Sequence, residues 1–243
     1  DGQQLDFIKH INPPGGGKEA TGLVTRFTRS AKAAVPGYPL ELRLFHEIEV
    51  AKILVNAYFN DFDKERVTYQ LEQSRINEIL KPLNAKLNAQ PVKGVNEDDV
   101  VDLQDYAQES FGKSLSVLQA NYWARAVAMA PRLSIEDRAT LFSILWAEIP
   151  ELTQIYIQFA KTLAQLGNPE RVYAPLTAVV KDNGSGGLSQ ADSIMNVDML
   201  ERLGTNRDEQ IAVRPFIEEG HVGEPVSISL AELTALTAEL VFP

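Results

Sequence analysis

Few residues in this chain combine the types and spacings that chemistry needs. Gly15-Gly16-Gly17-Lys18 is the most suggestive run, because glycine backbone and a lysine can cradle phosphate. A loop of the Gly-x-x-x-x-Gly-Lys-[Ser/Thr] type needs a glycine where Asn12 stands and a hydroxyl where Glu19 stands. A carboxylate there repels phosphate, so the run reads as a plain loop. His10, His46 and His221 lie far apart and lack metal-ligand spacing. Glu97, Asp98, Asp99 and Asp102 are an acidic group without the calcium-loop pattern, and a helix N-terminus accounts for the first three. Neither a Gly-x-Ser-x-Gly nucleophile elbow nor a His-Glu-x-x-His zinc motif occurs. That leaves Thr25 and Arg26, a hydroxyl and a guanidinium that follow Pro13-Pro14-Gly15-Gly16-Gly17 and precede a strand. Arg29 and Lys32 extend the basic character of the next loop.

The elements that must position these groups are legible from periodicity. Leu40, Leu42 and Leu44 alternate with Glu41 and Arg43, which predicts a half-buried strand over Tyr38–Phe45. From His46 the period becomes helical. Ile48, Ala51, Val55, Phe59 and Phe62 share one face, and a second helix is expected from Glu65 to Leu87, kinked or ended by Pro82. Asn96 caps a helix that runs to Gly112. A further helix carries Leu115, Leu118, Tyr122 and Met129, and Ser134 caps another with Ile135, Ala139, Phe142 and Trp146. Pro150 opens the last of the set, with the stripe Leu152, Ile155, Phe159, Leu163 and Leu166. Trp123, Trp146, Tyr122 and Tyr156 fall on these stripes and read as core.

After Gly167-Asn168-Pro169 the composition turns β-prone. Arg171–Val180 contains Pro175, and Asn183–Gly187 is a flexible loop. A short helix is expected at Asp198–Leu203. A strand at Ile211 and Val213 should be ended or confined to an edge by Pro215. Val226–Leu230 alternates, Ser229 and Glu232 form a capping box, and the helix they start is expected to reach Leu240 before a strand at Val241-Phe242. The fold class is therefore α+β and predominantly helical: a helical bundle over residues 46–167, inserted between a β-containing segment at 1–45 and a small α/β segment at 168–243 that returns to the β core.

Acidic residues outnumber basic ones by 33 to 23, a net charge of -10, which argues against broad nucleic-acid binding. With no cysteine, disulfide and thiolate chemistry are excluded. No run reaches the ~20 apolar residues of a helical membrane span.

Gly22-Leu23-Val24-Thr25-Arg26, followed by Pro39-Leu40-Glu41-Leu42-Arg43-Leu44, resembles the switch I region of dynamin-like GTPases. The longer pattern, from Ile11-Asn12-Pro13 through the glycine-rich loop to Phe27, is similar to SrfC-type bacterial virulence factors, large proteins to which a dynamin-like GTP-binding domain is ascribed. The resemblance implies a segment of a GTP-hydrolysing parent protein, lying between its phosphate-binding loop and its Asp-x-Pro-Gly region, and not catalytically competent alone. Thr25 would then be the switch I threonine that contacts Mg²⁺ and places the attacking water. Gly22 and Arg26 would lie near the nucleotide. Mg²⁺ and GTP would be cofactors of the parent protein, with none expected for the isolated chain. The implied partners are the rest of the GTPase domain or another protein, and the implied location is the bacterial cytoplasm or export with the parent. Read without the resemblance, the residues describe a helical scaffold or protein-interaction module with no nucleotide chemistry.

The stripe of the last helix carries a direct test. With Phe159 buried on it, Phe159→Ala is expected to cost about 3–5 kcal/mol in a denaturant titration.

Overall fold

The computed structural model describes residues 24–28, 35–62, 69–190 and 209–242. In chain order, β1 is Val24–Phe27 and β2 is Leu40–Leu44. Six α-helices follow: α1 Glu47–Asn60, α2 Gln73–Asn84, α3 Glu97–Phe111, α4 Tyr122–Met129, α5 Ile135–Ser143 and α6 Pro150–Gln165. Then come β3 Arg171–Ala174, β4 Val180–Asp182, β5 Leu188–Gln190, β6 Gln210–Glu218, β7 His221–Val222, β8 Val226–Ser229, α7 Leu230–Leu236 and β9 Thr237–Phe242. The architecture is α+β. Two compact units divide it: residues 1–45 with 169–243, and residues 46–168.

The first unit is built on a seven-stranded sheet of order β1-β9-β2-β3-β6-β7, with β8 also paired to β6. β1 runs parallel to β9, and the other pairs are antiparallel. The alternation of β2 decides which face is covered. Leu40, Leu42 and Leu44 are buried with Val172, Val213 and Leu240, whereas Glu41 and Arg43 are half-buried on the other face. There Glu41 pairs with Arg171 at 2.9 Å, and the Arg171 guanidinium lies 4.5 Å from the Phe216 ring. Pro215 neither ends β6 nor confines it to an edge. It sits inside the strand opposite Val172, and its carbonyl accepts from the Gly223 N–H at 2.7 Å. The strand tolerates it because the missing amide falls where β6 changes partners, from β8 over Gln210–Val213 to β7 beyond it. The Ser229–Glu232 capping box forms, but α7 stops at Leu236, and Leu240 belongs to β9 between β1 and β2. The expected helix at Asp198–Leu203 lies outside the described residues.

The second unit is helical. Asn96 caps α3 through Asp99, and the Ser134 hydroxyl accepts from the Asp137 N–H at the start of α5. α2 begins only at Gln73 and continues through Pro82 in its last turn, giving up the one i→i−4 hydrogen bond that an amide there would donate. The expected helix through Leu115 and Tyr122 is broken. A 3₁₀ turn at Ser116–Ala120 ends at Asn121, whose φ of -158° is not helical, and α4 starts afresh. The face of α6 is turned from the expected stripe. Tyr156, Ala160 and Leu163 are buried, Phe159 is half-buried, and Ile155 remains 41% exposed.

Tyr156 is buried because its hydroxyl has a partner. It donates a short hydrogen bond to Glu47 Oε1. Arg138 grips the same carboxylate from α5, Nε to Oε1 at 2.7 Å and Nη2 to Oε2 at 3.0 Å. The guanidinium also donates to the carbonyls of Ala130 and Lys93, each at 3.2 Å. Arg138 is wholly buried and Glu47 nearly so. Burial raises the Glu47 pKa, against the opposing pull of Arg138. At Gly94, with φ of +117°, any Cβ would collide with the Glu47 carboxylate.

Three outcomes follow for urea titrations at neutral pH. Removing one member of a buried pair leaves the other uncompensated, so Glu47→Ala costs about 3–5 kcal/mol. Gly94→Ala costs at least about 1–3 kcal/mol from backbone strain alone. Phe159→Ala, on a half-buried side chain, falls below the ~3–5 kcal/mol of a fully buried phenylalanine.

Candidate functional site

β1 carries the residues that sequence singles out. Thr25 pairs with Leu240 and shares its face of the sheet, the buried one. Its Oγ1 is shut off from solvent and has no hydrogen-bond partner. Leaving a buried hydroxyl unpaired costs free energy, so such an atom calls for an explanation. Arg26 lies on the opposite face, where its Nε stands 3.2 Å from Glu239 Oε2. Arg43 of β2 stands at the same distance from Glu239 Oε1. One carboxylate of β9 is thus shared by two guanidiniums from neighbouring strands. The Arg26 contact is Coulombic rather than a well-aligned hydrogen bond, since Glu239 Oε2 makes no hydrogen bond. Val24, two residues before Arg26, is 66% exposed. Gly22, Arg29 and Lys32 lie outside the described residues.

As a binding site for magnesium and phosphates, this edge is partial. The orphaned Thr25 hydroxyl is the kind of oxygen that suits Mg²⁺. Arg26 is engaged by Glu239 and stands on the other face, so the two residues are not brought to one point. The other polar groups weighed from sequence settle into structural duties. His46 precedes α1 as its N-cap and His221 lies in β7, while Asp99 accepts from the Asn96 N–H and Asp102 pairs with Lys52. His10 lies outside the described residues. Among the described residues, no group of three or more His, Asp or Glu side chains is placed to hold a metal ion.

A second polar site was not foreseen. Tyr69, Gln70, Glu72, Arg75 and Glu148 line an open recess of about 510 Å³. Arg75 holds Glu148 at two points, Nε to Oε1 at 2.9 Å and Nη2 to Oε2 at 2.6 Å, and reaches Glu78 at 2.9 Å. Ala147 and Glu148 both take left-handed backbone angles, with φ of 54° and 56°. That conformation is uncommon away from glycine. The Arg75 hydrogen bond holds the Glu148 carboxyl below the usual carboxylate range. Burial, and then the Glu148 charge, pushes the Tyr69 hydroxyl well up. The recess unites residues far apart in sequence, and no local pattern around Arg75 or Glu148 announces the pair.

The chain belongs to the family whose model, described as "Putative bacterial virulence factor", matches residues 1–243. No curated protein and no solved structure matches the chain. Among the described residues, no helix is long and apolar enough to cross a membrane.

Two measurements read these sites. Thr25→Val removes the unpaired hydroxyl at nearly constant shape, so in the isolated chain it is neutral or stabilises by up to about 1 kcal/mol in urea titration. Glu148 has a lowered folded pKa, so its contribution is present above the pKa of an unfolded carboxylate and is lost as pH falls through the folded value. Arg75→Ala therefore destabilises at pH 7 by about 0.2–1 kcal/mol, the scale of a solvent-screened pair, and the difference from wild type shrinks as pH falls below the range of an unfolded carboxylate.

Proposed function

We propose that this chain is a segment of a dynamin-like, GTP-hydrolysing virulence-associated protein, with Thr25 in its switch I region and the helical unit inserted after the switch strand. One observation carries the reading. β2, which follows the Thr25-Arg26 segment, lies hydrogen-bonded beside β9, although the whole helical unit separates them in sequence. The resemblance requires such a neighbour: the strand that leads toward the Asp-x-Pro-Gly region, here β9, which follows β2 only once residues 46–236, with β3 to β8 among them, are set aside. The unpaired Thr25 hydroxyl is a secondary support. In this reading Thr25 offers Mg²⁺ a hydroxyl oxygen in the parent protein, Gly22 and Arg26 lie near the nucleotide, and the rest of the GTPase domain supplies the phosphate grip. GTP hydrolysis then belongs to the parent, in the bacterial cytoplasm or after export with it.

The competing reading is a helical scaffold that recruits another protein without nucleotide chemistry. It is favoured by the place of Thr25 on the core face of the sheet with its hydroxyl oxygen shut off from solvent, where a reacting group has no access to substrate.

Kinetics on the parent protein separate the two. A group felt mainly in the transition state appears in kcat, so Thr25→Ala is expected to lower GTP turnover about 10²–10³-fold while nucleotide affinity changes little. Thr28→Ala, three residues on, is the control and leaves turnover near wild type. Equal turnover for Thr25→Ala and an active wild type removes the switch I assignment. Calorimetry on the isolated chain with GTP and Mg²⁺ is expected to show no binding stronger than about 1 mM, because the backbone donors and lysine of a phosphate loop are missing. A micromolar dissociation constant would overturn the segment reading and return Gly15-Gly16-Gly17-Lys18 to consideration.

A further inference from the structure

We infer that the helical unit is an independently opening module, able to unfold and refold while the sheet that carries it stays intact. The first observation is how the chain leaves and re-enters the sheet. β2 and β3 are antiparallel neighbours, with Arg43 opposite Arg171 and Leu42 opposite Val172. The ladder extends one step further, to the Leu44 N–H, which donates to the Glu170 carbonyl at 3.0 Å. Residues 46–168 therefore occupy the place of a hairpin turn, and their two attachment points are closed by the sheet's own hydrogen bonds. The sheet needs the connection to be closed, not to be helical, and the cost of closing a loop grows only slowly with its length.

The second observation is that the ion pairs described above each lie within one unit. Glu47, Arg138, Tyr156 and the carbonyls of Ala130 and Lys93 all belong to the helical unit. The ion pairs of Arg26 and Arg43 with Glu239, and of Arg171 with Glu41, all belong to the sheet unit. Each unit also has its own apolar core. Trp146, Tyr122, Phe142 and Leu103 are fully buried in one, and Leu42, Val172, Val213 and Leu240 in the other. A segment with its own core and its own buried ion pair, entered and left through neighbouring strands, meets the conditions for a cooperative unit that opens by itself.

Hydrogen exchange on the full chain tests this. Glu47→Ala loosens the helical unit, so the amides of Leu103 and Leu163 are expected to exchange about 10²–10³ times faster. The amides of Leu42, Val172 and Leu240 should stay within about threefold of wild type, the scatter of unrelated sites. Equal acceleration in both groups would show a single cooperative structure and overturn the inference. Should Glu47→Ala not accumulate folded, replacement of residues 46–168 by Asn-Gly, a two-residue hairpin turn, gives the same decision. Retained protection at Leu42, Val172 and Leu240 supports the module, and its loss overturns it.

Discussion

One buried carboxylate organises the helical half of this protein. Glu47 is the first residue of α1, and its side chain takes hydrogen bonds from Arg138 on α5 and Tyr156 on α6. Arg138 in turn fixes the Ala130 and Lys93 carbonyls, so the loop before α3 and the turn before α5 answer to the same charge. The arrangement is costly to break rather than strongly favourable to make, because desolvation offsets most of the attraction within a buried pair. Its effect is therefore on specificity of packing: α1, α5 and α6 meet in the register that brings these donors to one carboxylate. The tight backbone at Gly94 follows from the same demand for space.

The sheet half is organised by strand order. β9, last in the described chain, lies between β1 and β2, the first two strands. Its Glu239 joins Arg26 to Arg43, an electrostatic tie on the polar face, while Leu240 fills the apolar face between Thr25 and Leu42. The two faces of β1 thus have different chemistry, and that sets the limits on Thr25 and Arg26 as a site. They are neighbours in sequence but belong to opposite sides of the sheet. Any common action on one ligand requires a rearrangement of β1 or further groups from elsewhere in the parent protein.

Much of the local structure is legible in the residues. The capping pairs Asn96–Asp99, Ser134–Asp137 and Ser229–Glu232 are short-range hydrogen bonds, and each marks a real helix start. The alternation of Leu40, Leu42 and Leu44 gives the buried face of β2 correctly. The failures have long-range causes. The stripe on α6 is turned because Tyr156, an amphipathic residue, goes to the interior where Glu47 can take its hydroxyl proton in a hydrogen bond, leaving Ile155 partly in water. Pro215 reads as a strand breaker only if the strand keeps one partner along its length, and β6 does not. The helix through Leu115 and Tyr122 breaks at Asn121, and Tyr122 is then free to place its hydroxyl on the Leu141 carbonyl at 3.0 Å.

The sequence by itself determined the fold class, the positions of most helices and the absence of thiol chemistry in this chain. These depend on composition and on contacts between residues a few positions apart, which periodicity and capping record directly. Tertiary structure alone decided that Glu47, Arg138 and Tyr156 share a charge, that Arg75 meets Glu148, that β9 separates β1 from β2, and that Thr25 points to the core face while Arg26 points away. Each of these is a meeting of residues tens of positions or more apart, and a single sequence carries no term for which distant strand or carboxylate will be the neighbour. That choice is made only when the whole chain buries its apolar faces and satisfies its charges together.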